Sequence, residues 1–124
     1  MSEKITFYWS ESCSTCQKAK RFLERFDIKN FTARDIKENP LSRDEVVKLT
    51  EMLGGADNLF SRRAVKYREM KLGERELSAA EMIELMADEY TFLKRPVLVI
   101  NDKAIAGFFE KQFEDFIYKN YLKK

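Results

Sequence analysis

ITFYWSESCSTCQKAKRFLE, residues 5–24, decides the fold of this chain. A β-rich run over 4–9 predicts a short buried strand, and a polar loop follows it. The second half of the stretch repeats apolar residues at the spacing of one helix face, which predicts an amphipathic helix. These apolar positions are Ala19, Phe22 and Leu23, and Phe26 continues the pattern just beyond the stretch. Both cysteines of the chain, Cys13 and Cys16, therefore fall at a junction between a strand and a helix.

The remaining elements follow from the same kind of pattern. NFTARDI (30–36) predicts a second strand, so the chain opens with a βαβ unit. Residues 41–92 carry helix signals and no strand signal; Ser42 with Glu45 forms a capping box, and Gly54 ends that helix. VLVI (97–100) is typical of a central strand buried on both faces, and AIAGF (104–108) predicts a strand that pairs back onto it before a last helix.

This order predicts an α/β thioredoxin-like fold. The expected architecture is a mixed four-stranded sheet with a helical insertion, at about 41–92, between the second and third strands. A length of 124 residues suits one domain, so we expect a single domain over 1–124.

Composition limits the function. The net charge of +2 is too small to predict direct nucleic-acid binding, which needs a concentrated basic face. The longest apolar run, PVLVI, is far shorter than a membrane span, and MSEKITFYW does not resemble a signal peptide. We therefore expect a cytoplasmic protein that does not enter membranes. In that compartment a cysteine pair is more often catalytic or sensing than structural.

The chain contains no histidine, which excludes several kinds of site. Neither a Cys–His nucleophile pair nor a Ser–His–Asp triad can form, and two cysteines alone cannot complete a zinc site. We predict no metal and no bound cofactor. Any activation of Cys13 must come from a helix terminus, backbone amides, or Arg and Lys side chains.

Cysteines at i and i+3 on a helix lie within disulfide distance. Unpaired N–H groups at a helix N-terminus stabilise an anion and can lower a thiol pKa from ~8.5 to roughly 3.5–7.5. Cys13 is therefore the predicted nucleophile, and Cys16 is the thiol that resolves the mixed bond. Other donors to a bound anion are Ser12, Ser14 and Thr15. The alternative is that both cysteines are small apolar residues of a core helix.

Arginines outside the cysteine segment have two interpretations each. Arg95–Pro96 can simply be the entry to a strand. It can instead be a cis peptide that faces the cysteines and leaves backbone groups free to bind an extended thiol ligand. In that case the Arg95 guanidinium points to the same site. Arg62 and Arg63 can belong to an exposed basic helix face, or one of them can supply a second oxyanion donor.

Four segments together resemble the arsenate reductase/Spx family, over about residues 4–117. They are ITFYWSESCSTCQKAKRFLE, NPLSRDEVVKL, NLFSRRAVKYREM and LKRPVLVINDKAIAGF. The resemblance to its reductases implies that Cys13 attacks arsenate, that Arg95 and either Arg62 or Arg63 hold the oxyanion, and that glutathione with glutaredoxin, or thioredoxin, supplies electrons. A third arginine of such enzymes falls near Gly107 or Phe108 and is absent here, and Cys16 stands where they usually carry serine.

The same resemblance supports an alternative function. Spx-type regulators carry a similar cysteine pair, a similar Arg95–Pro96 and a glycine like Gly55, which implies that the chain binds the C-terminal domain of the RNA polymerase α subunit. A third kind of member implies a glutathione-dependent thiol reductase. We favour the reductase-like function and keep the regulator as the alternative.

Overall fold

A computed structural model describes residues 4–122 of the chain. Residues 1–3, part of the segment on which the absence of a signal peptide rests, lie outside that range, as do 123 and 124. The helices and strands, in chain order, are β1 (Ile5–Trp9), α1 (Ser14–Arg25), β2 (Thr32–Asp35), α2 (Arg43–Leu53), α3 (Val65–Glu69), α4 (Ala79–Asp88), β3 (Val97–Ile100), β4 (Lys103–Ala106) and α5 (Glu110–Ile117).

The four strands form one mixed sheet in the order β2-β1-β3-β4. β1 pairs with β2 in parallel, whereas β3 runs antiparallel to both β1 and β4. All four residues of β3 are buried, as expected for a central strand. The fold is α/β and thioredoxin-like, as the sequence predicted.

The chain divides into two compact units. The helical unit is Asn39–Lys94, and the sheet unit comprises the other described residues. The sheet unit holds all four strands together with α1 and α5, and the helical unit holds α2, α3 and α4. The core of the sheet unit is formed by apolar residues of β1, α1, β3 and α5, with Phe7, Leu23, Leu98 and Phe113 fully buried. This core fixes the start of α1, and with it the cysteines, against the end of β1.

The helical unit contains helices that begin as the sequence predicted. Capping boxes start α2 at Ser42 and α4 at Ser78, and Gly54 ends α2 in a left-handed conformation at φ +85°. NLFSRRAVKYREM contributes one short helix, over Val65–Glu69. Its start forms an isolated bridge, Phe60 to Leu93, with the ring of Phe60 stacked on Phe92. Around Phe60, therefore, the chain is held by aromatic stacking and is not helical.

Candidate active site

The cysteine turn, residues 10–16, connects β1 to α1. Cys13 is the N-cap of α1, with extended backbone angles of φ −92° and ψ 114°. Its sulfur accepts a hydrogen bond from the backbone N–H of Cys16 at 3.4 Å, so a helix-start donor already points at the atom predicted to become an anion. Cys13 is half-buried and Cys16 is fully buried, and both are free thiols. This arrangement places one sulfur within reach of a ligand and the other behind it.

The two sulfurs differ in chemistry. Burial raises the pKa of the Cys16 thiol to about 12, and the neighbouring Cys13 sulfur adds to the rise, although the Ser10 backbone and the Arg95 charge oppose it. Cys16 therefore stays protonated and unreactive at neutral pH. Since only thiolates attack disulfides and oxyanions, the first attack falls to Cys13, and Cys16 acts once its proton has a base to accept it.

Arg95 and Pro96 enter β3 beside the cysteine pair. The peptide bond between them is cis, as one of the two interpretations of this dipeptide expected, and the role of the dipeptide at the site stays a prediction. The positive charge of Arg95 acts on the Cys16 sulfur, which places the guanidinium in the electrostatic environment of the pair. Pro96 is buried, and its carbonyl accepts the Gly107 N–H at 2.7 Å. That carbonyl is therefore not among the free backbone groups that the sequence interpretation expected for an extended ligand.

Of the hydroxyl residues of the turn, Ser12, Ser14 and Thr15 are exposed. The Ser12 hydroxyl lies 3.1 Å from that of the buried Ser10. Ser14 and Thr15 form the first turn of α1, and within residues 4–122 their side chains form no hydrogen bond. Their backbone N–H groups, like that of Cys16, belong to the open end of the helix and can donate to an anion at Cys13.

Asp35 braces the cysteine turn, and sequence reasoning missed it. It ends β2, and its carboxylate accepts the backbone N–H of Glu11 at 3.1 Å and those of Lys37 and Glu38 at 2.9 and 3.4 Å. Burial favours a raised pKa for Asp35, but these three donors outweigh it and hold the pKa below its usual value. Because β1 and β2 are parallel, Asp35 lies beside Trp9, at the end of the sheet from which the turn emerges. The parallel pairing of β1 with β2 was predictable from the βαβ unit, and it is the signal that could have identified the contact between Asp35 and Glu11.

Gln17 supports the same turn from α1. Its side-chain amide donates to the backbone carbonyl of Glu11. Glu11 thus has its N–H held from β2 and its carbonyl held from α1. The position of Cys13 is fixed from two sides by groups that do not touch the sulfur.

The other predicted site residues lie in the helical unit. Arg62 is exposed, pairs with Asp57 at 2.7 Å and lies over the Phe60 ring; the hydrogen bond with Asp57 raises its pKa. Arg63 is exposed, and its backbone N–H contacts Ser61. Gly55 adopts φ +152°, and a Cβ built on it meets nothing within 4 Å. The role of either arginine at Cys13 stays a prediction.

Two kinds of feature do not occur within residues 4–122. That range contains no cluster of three or more His, Cys, Asp or Glu side chains that could hold a metal ion. Among its helices, none combines the length and apolar character that crossing a bilayer requires.

Comparison with known proteins identifies the family. The ArsC family model matches residues 8–116. The chain is 38% identical over 114 residues to the uncharacterized protein YusI of Bacillus subtilis, covering 90% of this chain and 96% of that protein. It is 31% identical over 121 residues to the global transcriptional regulator Spx of Streptococcus mutans, covering 97% of this chain and 88% of that protein.

A solved structure agrees with this family at the level of the fold. The arsenate reductase from Vibrio cholerae superimposes with a TM-score of 0.81 at 23% identity, covering 93% of this chain and 98% of that one. The chain belongs to the ArsC family, the arsenate reductase/Spx family that its motifs resemble.

Proposed function

We propose that this protein is a cytoplasmic thiol-redox enzyme in which Cys13 attacks a disulfide or an oxyanion and Cys16 resolves the product. The observation that carries the proposal is the pairing of a half-buried Cys13 sulfur, which already accepts a helix-start N–H, with a fully buried Cys16 one helical turn away. The Cys13 sulfur is accessible to a substrate, whereas the buried Cys16 sulfur can react only with Cys13.

The reaction with a disulfide R–S–S–R′ balances in two steps. The Cys13 thiolate attacks one sulfur, a Cys13–S–S–R bond forms, and R′–S⁻ leaves. Cys16 then transfers its proton to the released R′–S⁻ and attacks the Cys13 sulfur, so the protein disulfide forms and R–S⁻ leaves. The substrate gains two electrons and the protein loses two. Glutathione with glutaredoxin, or thioredoxin, is the proposed donor that returns them.

An oxyanion such as arsenate is the second substrate class under this proposal. The supporting groups are the Arg95 guanidinium and the open N–H groups at the start of α1. Arg62 or Arg63 is proposed as a further donor from the helical unit. Since each charge-assisted contact to an oxyanion contributes about 1.5–3 kcal/mol, the absence of arginine at 107 and 108 favours a disulfide over arsenate.

Trapping experiments test this function. Reduced wild type is mixed with glutathione disulfide or arsenate, with and without glutaredoxin and thioredoxin, and turnover is measured. Cys16→Ser is expected to accumulate the Cys13 mixed disulfide, visible by mass spectrometry, and Cys13→Ser is expected to accumulate nothing. Wild type that neither turns over nor forms an internal disulfide with any of these substrates contradicts the proposal.

A redox-responsive regulator is the second candidate, supported by Gly55. A partner backbone can approach this residue closely, because it has no side chain and the space where a Cβ would lie is open. The similarity to Spx over nearly the whole chain supports the same function. The C-terminal domain of the RNA polymerase α subunit is the proposed partner. Pull-down with reduced and oxidised protein tests it; Gly55→Arg is expected to abolish capture, and absence of capture by wild type in both states rejects this candidate.

A further inference from the structure

Three segments meet at one end of the sheet. β1 and β4 both run antiparallel to β3, so they are parallel to each other and their carboxyl ends share an edge. The cysteine turn follows β1, and residues 107–109 follow β4. Pro96, at the start of β3, holds the second of these loops, because its carbonyl accepts the Gly107 N–H. The cysteine turn and the loop after β4 therefore emerge at the same end of the sheet.

An aromatic ring is exposed on that loop. Phe109 is 66% exposed, the highest value for a large apolar side chain within residues 4–122. Its ring lies 3.9 Å from where a Cβ of Gly107 would be, and Gly107 itself has φ +84°, a conformation that glycine adopts freely. Phe109 also begins α5 without a side-chain cap. An apolar ring at this helix start stabilises neither the helix nor the core, so it is accessible to a ligand outside the chain.

A groove with unpaired cations adjoins the ring. Phe108 forms its apolar floor and packs edge-on against Phe22 and Phe113. The other lining residues are Lys18, Arg21, Glu24, Arg25 and Glu110. Arg25 pairs with Glu110 at 3.9 Å. Neither Lys18 nor Arg21 forms an ion pair with any residue that the structure describes, so the unpaired charge of the groove is mainly positive.

We propose that this surface binds a polypeptide disulfide whose cysteine is flanked by an apolar and an acidic residue. The inference rests on the proposed function and names its substrate class. The apolar residue packs on Phe109, and the acidic residue faces Lys18 and Arg21. Glutathione alone is too small to reach both features, so a peptide or protein chain is the occupant that fits.

The spacing along α1 agrees with such an occupant. Lys18 and Arg21 follow Cys13 by five and eight residues, which corresponds to about 7.5 and 12 Å along a helix rising 1.5 Å per residue. An extended peptide advances about 3.3–3.6 Å per residue. An acidic side chain two to four residues from the reacting cysteine therefore reaches these cations while the disulfide lies at the Cys13 sulfur.

Two synthetic peptides provide the test. Both contain one cysteine, held as a mixed disulfide with the chromogenic thiol thionitrobenzoate, and a leucine beside it. One carries aspartates two to four residues from the cysteine, and the other carries lysines there. Attack of the Cys13 thiolate on the peptide sulfur forms Cys13–S–S–peptide and releases the coloured thiolate, so the second-order rate constant is read directly.

We expect reduced wild type to react about fivefold faster with the acidic peptide at low salt, with the preference shrinking as salt is added. Lys18→Glu combined with Arg21→Glu is expected to remove or reverse the preference, whereas the control Lys119→Glu keeps it. Phe109→Ala is expected to slow both peptides about tenfold. The control Tyr118→Ala, which truncates a 56% exposed ring beyond the other end of α5, leaves the rates unchanged.

Reaction with the symmetric disulfide of the chromogenic thiol tests the proposed function of Cys13 separately from peptide binding at the groove. If Cys13 reacts with that small disulfide, but both peptides react equally and the variants change nothing, the groove is not a substrate site and the proposed function stands. If Cys13 reacts with neither the small disulfide nor the peptides, the proposed function fails and this inference fails with it. Circular dichroism of each variant verifies that it is folded.

Discussion

The helices of the two units begin in different ways. In the helical unit, α2 and α4 start with complete capping boxes. The hydroxyls of Ser42 and Ser78 each accept a backbone N–H, and a glutamate carboxylate accepts the backbone N–H of the serine. In the sheet unit, α1 starts with a thiol and α5 starts with an exposed phenylalanine. Sulfur is a weak acceptor and a benzene ring accepts almost nothing. The helix starts of the helical unit have strong acceptors, whereas those of the sheet unit carry a weak acceptor, which is the proposed nucleophile, and an exposed ring.

The largest expected effect comes from giving α1 the cap that α2 has. Cys13→Ser replaces sulfur by a better N-cap acceptor, so we expect unchanged or slightly higher stability together with complete loss of disulfide formation. Chemical denaturation and the mass of the oxidised chain measure the two properties. If Cys13→Ser still formed a mixed disulfide with glutathione, the assignment of the nucleophile would be wrong.

Alkaline pH is expected to decrease the contribution of the buried Cys16 thiol, in the first turn of α1, to the stability of the fold. The pKa of Cys16 is about 12 in the folded chain, against 9.0 for an ordinary thiol. Between these values the unfolded chain has lost the proton and the folded chain has kept it. The contribution of Cys16 is therefore complete below pH 9 and decreases by about 1.4 kcal/mol per pH unit as the pH rises toward 12.

Comparison with Cys16→Ala isolates this contribution, because lysines and tyrosines titrate equally in both proteins. Denaturation midpoints of the reduced proteins, measured from pH 8 to 11, should converge as the pH rises. Parallel curves would contradict the raised pKa.

Removing the brace at the cysteine turn has the next largest effect. Asp35→Ala removes the acceptor of three exposed backbone N–H groups, which costs about 1.5 kcal/mol of unfolding free energy because water can partly replace the carboxylate. We also expect slower alkylation of Cys13, because the Glu11 N–H no longer fixes the turn. Asp35→Asn keeps an acceptor oxygen and is expected to recover part of the alkylation rate. An Asp35→Ala protein that is destabilised but alkylated at the wild-type rate would assign Asp35 a structural role only.

The smallest effect is expected in the helical unit. Ser42→Ala or Ser78→Ala costs about 1 kcal/mol of stability and leaves the reaction of Cys13 with disulfides unchanged.

The cap at Ser78 also weakens in acid. Its partner Glu81 has a pKa lowered by the Ser78 N–H and by Arg75, so its contribution is present above the ordinary pKa of 4.5 and is lost as pH falls. Thermal denaturation at pH 3–6 of wild type and Glu81→Gln checks the sign.

Local signals in the sequence predicted the elements that depend on neighbours along the chain. The apolar spacing at Ala19, Phe22 and Leu23 gave α1, and Ser42 with Glu45 gave the start of α2. The cysteine pair could be placed for the same reason, since it depends only on one strand and the helix that follows.

Contacts between distant segments were not predictable in that way. Asp35 holds Glu11 across 24 residues, and nothing near Asp35 in the sequence distinguishes it from an ordinary strand-end aspartate. The exposure of Phe109 was also missed, because AIAGF followed by phenylalanine suggests more core. Phe108 fills that core position against Phe22 and Phe113, which leaves no room inside for its neighbour.

The spacing of the two sulfurs has a consequence for how oxidation affects the whole molecule. A bond between positions 13 and 16 closes a ring of only four residues. By the chain-entropy relation such a ring restricts the unfolded chain by about 2 kcal/mol, less than half the effect of a hundred-residue loop. Under the proposed function, each oxidation or reduction of the pair therefore changes the stability of the fold by less than half of what a long-range disulfide would.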